Sequence, residues 1–210
     1  MSHNLLEQFI LLWVVIDPIG TIPVFIAVAA GISASERWKI ALKATLAATF
    51  VLLLFLVGGQ FLIDALGISL PAFQIAGGIV LLLFALTMIF GDSKPESEAQ
   101  TWSAEEDGHS SVAIFPLAMP SLASPGAILA VVVLTDNNRF SIQEQAMTGG
   151  TMLLVMACAF ILMLAATPIL RVIRTAGAAL VSRIMGMILA AVAVNTVILA
   201  VIELIRTVEI

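Results

Sequence analysis

The sequence predicts an all-α integral membrane protein of six transmembrane helices, arranged as an inverted 3+3 repeat in which spans one and four are broken. Three observations carry that expectation. The 210 residues are 61% hydrophobic and only 11% charged, with a mean hydropathy of +1.14, far from the balance of a soluble domain. Six apolar runs, residues 9–30, 40–63, 70–90, 112–134, 146–170 and 184–202, are each long enough to cross a hydrocarbon layer about 30 Å thick. Two of these runs carry prolines five residues apart, Pro18 and Pro23 in the first, Pro120 and Pro125 in the fourth.

Span one contains Asp17-Pro18-Ile19-Gly20-Thr21-Ile22-Pro23. Each proline lacks an N–H and presses on the carbonyl four residues back, Gly20 adds backbone freedom, and Asp17 and Ile22 are pushed from helical angles by the prolines that follow. A break there strands backbone groups that lipid cannot satisfy, so it has to be buried in protein or line a polar cavity. An intramembrane carboxylate costs roughly 2.5–3.5 kcal/mol on insertion scales. Asp17 is therefore expected at the edge of a polar cavity, as part of a binding site, and the competing reading is a proline-kinked helix with a paired structural aspartate. Residues 1–7 carry no Lys or Arg ahead of an apolar run too long for a signal-peptide core, so the run is expected to stay as the first span.

The connection over residues 31–39 offers Ser35 as a cap for span two, with Arg37 and Lys39 beside it, and residues 64–69 form a tight turn before Pro71 opens span three. Gly58-Gly59 and Gly77-Gly78 suit close helix packing better than ligand contact. Gln74 and Thr87 are expected to bridge helices or face the site. Residues 92–111 hold six of the fourteen acidic residues, with His109 among them, and read as an acidic linker. Seven basic residues (Arg37, Lys39, Lys43, Lys94, Arg171, Arg174 and Arg183) fall near loops 1-2, 3-4 and 5-6, against Arg139 and Arg206 on the other face. That bias places the three loops in the cytoplasm and both termini outside.

Span four carries Met119-Pro120-Ser121-Leu122-Ala123-Ser124-Pro125-Gly126-Ala127-Ile128, which matches span one in proline spacing while running the opposite way. Ile75-Ala76-Gly77-Gly78-Ile79 in span three is echoed more weakly by Arg183-Ile184-Met185-Gly186-Met187 in span six. The organisation expected is a first three-helix repeat over residues 1–91, the linker over 92–111 and an inverted repeat over 112–210. Each break frees the N–H groups that open a half-helix, Thr21 to Val24 and Ser124 to Ala127, where a carboxylate can bind, with Asp17 as counter-charge for an amine, a proton or a cation. The candidate substrate- or ion-binding residues are Asp17, Gly20, Thr21, Pro23, Ser121, Ser124, Gly126, Asn195 and Thr196; Pro18, Pro23, Pro120 and Pro125 mark the breaks. The hydroxyls of Thr21, Ser121 and Ser124 serve equally as helix caps, and Asn195 and Thr196 equally as helix-bridging groups.

At these residues the chain resembles the MarC family of bacterial inner-membrane proteins, within a broader lysine-exporter-like superfamily. The carriers are Asp17-Pro18-Ile19-Gly20 with Pro23, Ala76-Gly77-Gly78-Ile79, Pro116-Leu117-Ala118 with Pro120, Pro125-Gly126-Ala127-Ile128, and Met185-Gly186 with Ile188-Leu189. The resemblance implies a six-helix protein of the cytoplasmic membrane and, from some relatives, transport of small neutral amino acids such as glycine and alanine. Relatives often have Gly where Ser124 stands, which alters pocket size.

Secondary transport is the function these features favour, with proton or sodium coupling and a small-molecule substrate, in contact with the lipid bilayer. The alternatives are export of another small metabolite or ion and a non-transporting membrane scaffold. No Walker motif points to ATP. An intramembrane enzyme would need a nucleophile with a base or a dithiol, yet His3 and His109 lie outside the apolar runs and Cys158 is the sole cysteine. No enzyme activity, cofactor, metal or nucleic-acid partner is expected, and a homo-oligomer is compatible with the sequence.

Overall fold

A computed structural model describes residues 5–29, 32–90 and 113–208. The acidic linker, with Lys94 and His109, lies outside the described residues. The helical segments are α1 (Leu5–Ile16), α2 (Thr21–Val28), α3 (Ala34–Ala65), α4 (Leu70–Phe90), α5 (Ala113–Leu122), α6 (Pro125–Leu134), α7 (Ile142–Leu164) and α8 (Ala166–Val208). No strand occurs among the described residues. Five stretches are long and apolar enough to cross a membrane, counting Leu5–Val28 as one, and the pair α5 and α6, bent by 55°, brings the number to six.

The surface follows from the lipid solvent. Along α3 the buried stripe is Ala41, Ala44, Ala48 and Leu52, while Leu46, Phe50, Leu54, Val57 and Phe61 are exposed. Small residues face the neighbouring helices and large apolar ones face outward, the arrangement expected where backbones approach closely and lipid covers the rest. α4 and α8 form the most extensive helix pair, and α3 packs on α5, α6 and α7. A Cβ on Gly78 would lie 2.7 Å from Val197 of α8, and one on Gly186 would lie 2.9 Å from Met88 of α4. Each helix thus contributes one glycine to a contact with the other. Gly59 and Gly77 meet Val132 and Leu129 in the same way, whereas Gly58 faces open space.

Helix ends follow local chemistry, with three departures from expectation. α3 starts at Ala34 with Ser33, not Ser35, in the cap position; Ser33 donates to Glu36 at 3.0 Å, and Arg37, Lys39 and Lys43 belong to the helix. α3 ends in a Schellman motif at Gly67 (φ 65°), where Gly67 N–H donates to Asp64 at 3.0 Å and Ile68 N–H to Ile63 at 3.1 Å. The expected 5-6 loop is replaced by a turn at Ala165, and Arg171, Arg174 and Arg183 fall within α8. After Pro168, which the first helical turn tolerates, that stretch is rich in Ala, Leu, Val and Arg, none of which ends a helix.

Interhelix polar contacts mark the two ends of the bundle. Arg37 donates from Nε to the Ile32 carbonyl at 2.9 Å and from Nη1 to Thr167 at 3.2 Å. At the other end Arg139, in the turn between α6 and α7, pairs with Glu203 of α8. α8 therefore runs back along the bundle from the α2–α3 end to the α6–α7 end.

Candidate functional site

The two proline-marked stretches meet inside the bundle. Residues before proline avoid the α region, and Phe115 (φ −128°, ψ 126°), Met119 (φ −132°, ψ 129°) and Ser124 (φ −67°, ψ 157°), which precede Pro116, Pro120 and Pro125, are all extended. Asp17, before Pro18, instead takes the left-handed conformation at φ 52°. Asp is one of the few L-residues that tolerate it. Ile22 behaves differently: it lies within α2 despite Pro23 following, because Pro23 occupies the first turn, where its missing N–H would have no helical acceptor. Pro125 opens α6 in the same manner. Pro18 and Pro120 therefore lie in the interruptions, while Pro23 and Pro125 start the helices that follow.

Asp17 is 1% exposed, and its Oδ1 accepts the Gly20 N–H at 3.0 Å. Gly20 is required for space: a Cβ there would lie 2.0 Å from Asp17 Oδ2. Thr21 Oγ1 donates to the Asp17 main-chain carbonyl at 3.1 Å and lies 3.1 Å from Ser121 Oγ. A threonine hydroxyl has one proton, so with that proton on the carbonyl, Ser121 is the donor to Thr21. Ser124 Oγ donates to the Val15 carbonyl at the end of α1 (2.8 Å) and accepts from Ala127 N–H at the start of α6 (3.1 Å). Thr21, Ser121 and Ser124 are all buried.

The first interruption is thus completed by hydroxyls from the second. The half-helix donors expected to hold an anion are partly occupied by the chain: Thr21 N–H bonds Asp17 O at 3.2 Å, Ile22 N–H bonds Ile19 O at 3.1 Å, and Ala127 N–H bonds Ser124. In this conformation the hydroxyls cap and cross-link.

Two cavities lie nearby, and neither is lined by Asp17, Thr21, Ser121 or Ser124. A narrow one of about 60 Å³ ends on Val15, Leu81 and Gly126. It shares Leu11, Val133, Leu134, Val192 and Thr196 with a wider one of about 680 Å³, which also reaches Gln74, Arg139, Asn195 and Glu203. Gly126 therefore links the junction to the cavities; a Cβ there would lie 2.4 Å from Leu81. Asn195 is exposed and half-buried Thr196 donates to its own helix at Val192 (2.9 Å), so this pair lines the cavities and does not join the Asp17 cluster. Thr87 is exposed and bonds within α4. Sequence reasoning used Arg139 only as a topological marker and passed over Glu203. The signal available was an acid in an otherwise apolar helix and Asp136-Asn137-Asn138-Arg139 between two apolar runs.

Described residues whose regular structure is helical throughout, with large apolar side chains on the exterior and several helices long and apolar enough to cross a bilayer, define an integral membrane protein. The model of the MarC family integral membrane proteins matches residues 2–205, and the chain belongs to that family. It is 33% identical to a UPF0056 membrane protein of Archaeoglobus fulgidus, over 90% of this chain and 88% of the relative, and 34% identical to one of Aquifex aeolicus, over 91% and 89%. It is 28% identical to the UPF0056 inner membrane protein MarC of Escherichia coli, over 91% and 90%. No solved structure matches at a significant level.

Proposed function

We propose that the protein is a secondary transporter of a small polar metabolite, built as an inverted 3+3 repeat whose first and fourth crossings are interrupted. The observation that carries this reading is the pair of hydrogen bonds that the second interruption donates to the first, Ser121 to Thr21 and Ser124 to the Val15 carbonyl. Two further correspondences support the repeat. Ser33 and Ser141, 108 residues apart, each precede the helix after an interrupted crossing, and each bonds a glutamate three residues on, at 3.0 and 2.8 Å. Gly78 and Gly186, also 108 residues apart, occupy reciprocal places in the α4–α8 contact.

A pair of interrupted helices facing each other across such a repeat is the construction on which alternating access operates. Hydrogen bonds of this kind contribute about 0.5–1.5 kcal/mol each net, so a few of them hold one state without locking it. From the family resemblance the substrate class is small neutral amino acids of the glycine and alanine type, with proton or sodium coupling through Asp17. The same reading puts the chain in the cytoplasmic membrane, as the Escherichia coli relative's name says of that protein, with both termini outside by the seven-to-two basic bias. Transport is preferred to catalysis because, among the described residues, the Thr21 and Ser121 hydroxyls engage each other and a main-chain carbonyl and are hydrogen-bonded to no general base.

The test is uptake and efflux of radiolabelled glycine and alanine, within a panel of small metabolites and ions, by the purified protein in sealed vesicles. Flux above empty vesicles is expected and should fall in Gly126→Leu, which fills the narrow cavity. A folded protein that moves nothing in the panel in either direction would leave the scaffold reading in place.

A further inference from the structure

We infer that the 680 Å³ cavity is a capture site for a small zwitterion, whose carboxylate binds Arg139 and whose ammonium binds Glu203. The inference deepens the transport reading and rests on it only for the claim that the captured solute moves on.

Four observations converge on this cavity. Arg139 and Glu203 both line it and pair with each other at about one-third exposure, so their charges stand at its rim. Arg139 is independently anchored: its Nε lies 3.3 Å from Asp136 Oδ2, and Asp136 is buried, its Oδ1 accepting from Asn138 N–H at 3.0 Å and Asn138 Nδ2 at 3.2 Å. Gln74 lines the cavity at 5% exposure, and among the described residues its side chain makes no hydrogen bond. Its amide atoms are not sealed in the protein but open onto the cavity, where they are available to a polar ligand. The rest of the wall is largely apolar, with Leu11, Val133 and Ile188 among it, which strengthens charge interactions at the rim.

The ligand chemistry follows from the pair. An anion that enters between Arg139 and Glu203 leaves Glu203 without its partner, and a cation leaves the outer edge of the guanidinium unmatched, with Asp136 holding Nε alone. A solute with both charges replaces the pair with two new ones, the guanidinium edge taking the carboxylate and Glu203 the ammonium. Asp136 keeps hold of Nε throughout, so the guanidinium stays in place when it releases Glu203. Gln74 and Asn195 offer amide donors and acceptors to the same ligand. Beyond it, the narrow cavity has room for only a couple of waters, so in this conformation the solute is held without passage.

The experiment measures binding to the full-length protein in lipid nanodiscs by calorimetry, with alanine, glycine, methylammonium and acetate as probes. Alanine and glycine should bind, with methylammonium and acetate at least tenfold weaker. Arg139→Gln, Glu203→Gln and Gln74→Leu should each weaken alanine at least tenfold, and the double exchange Arg139→Glu/Glu203→Arg, which keeps an ion pair, controls for folding in parallel melting curves. The inference is overturned if neither zwitterion binds, if methylammonium or acetate binds as tightly as alanine, or if folded Arg139→Gln and Glu203→Gln bind alanine like the parent. Alanine binding lost in these variants but without vesicle flux in the parent would refute transport and retain the site; flux unchanged in both variants would retain transport and refute the site.

Discussion

Ser124→Ala isolates the chemistry that joins the two interruptions. The hydroxyl is 1% exposed and holds two main-chain groups, the Val15 carbonyl at 2.8 Å and the Ala127 N–H at 3.1 Å. Losing an N-cap of this kind costs about 1 kcal/mol. Leaving a buried carbonyl without its donor adds about 1–3 kcal/mol, and the surrounding apolar core supplies no water to replace it. The variant should therefore be destabilised by about 2–4 kcal/mol in reversible unfolding titrations in mixed micelles. Ser33→Ala, in the cap position before α3 but exposed and with its hydroxyl bonded only to the Ser35 and Glu36 side chains, is the control and should cost under about 1 kcal/mol. A Ser124→Ala protein within about 0.5 kcal/mol of the parent, or a Ser33→Ala protein equally destabilised, would refute the cross-linking role.

Asp17→Asn should fold normally, because Asn tolerates the left-handed conformation and accepts the Gly20 N–H, whereas Asp17→Ala loses both and should cost about 2–3 kcal/mol in the same titration. If the carboxylate carries the coupling proton or cation, folded Asp17→Asn loses uptake or its dependence on pH or cation; unchanged uptake across all conditions leaves Asp17 a structural residue. Gly20→Ala brings a Cβ to 2.0 Å from Asp17 Oδ2 and should destabilise by about 1–3 kcal/mol, while Gly58→Ala, with nothing within 4 Å, should be neutral or stabilising by up to about 1 kcal/mol. Equal effects would contradict the packing described. In a Cys158→Ser background, Ser35→Cys and Ser141→Cys should react with an impermeant thiol reagent from opposite sides of the membrane, Ser141→Cys from outside; the reverse pattern would invert the topology.

Much of the architecture was legible because it depends on contiguous stretches of chain. Whether a run is long and apolar enough to cross a bilayer is settled by its own composition, and the runs near Leu5–Val28, Ala34–Ala65 and Leu70–Phe90 follow directly. Proline acts on its immediate neighbours, so the extended backbone at Met119 and Ser124 was also open to inference. The basic residues of α3 and α8 were harder to place. Arginine and lysine mark a membrane face but do not end a helix, so counting them as loop residues shortened both helices.

The sequence by itself determined the class of protein, the apolar runs, the positions of the interruptions and the identity of the polar groups near them. Tertiary structure alone decided which of those groups meet. Ser124 reaches a carbonyl 109 residues away and Ser121 a hydroxyl 100 residues away, contacts that depend on how helices distant in sequence pack and leave no trace in local spacing. Asp17 was excluded from the helical region by Pro18, but the choice of the left-handed conformation over an extended one goes with its bond to Gly20 and the packing around it. Asn195 and Thr196 looked equivalent to the junction hydroxyls because all are polar groups in apolar runs. Helix rotation turned them instead toward Gln74, Arg139 and Glu203, since the face a residue presents is set by the α4–α8 contact and not by its own chemistry.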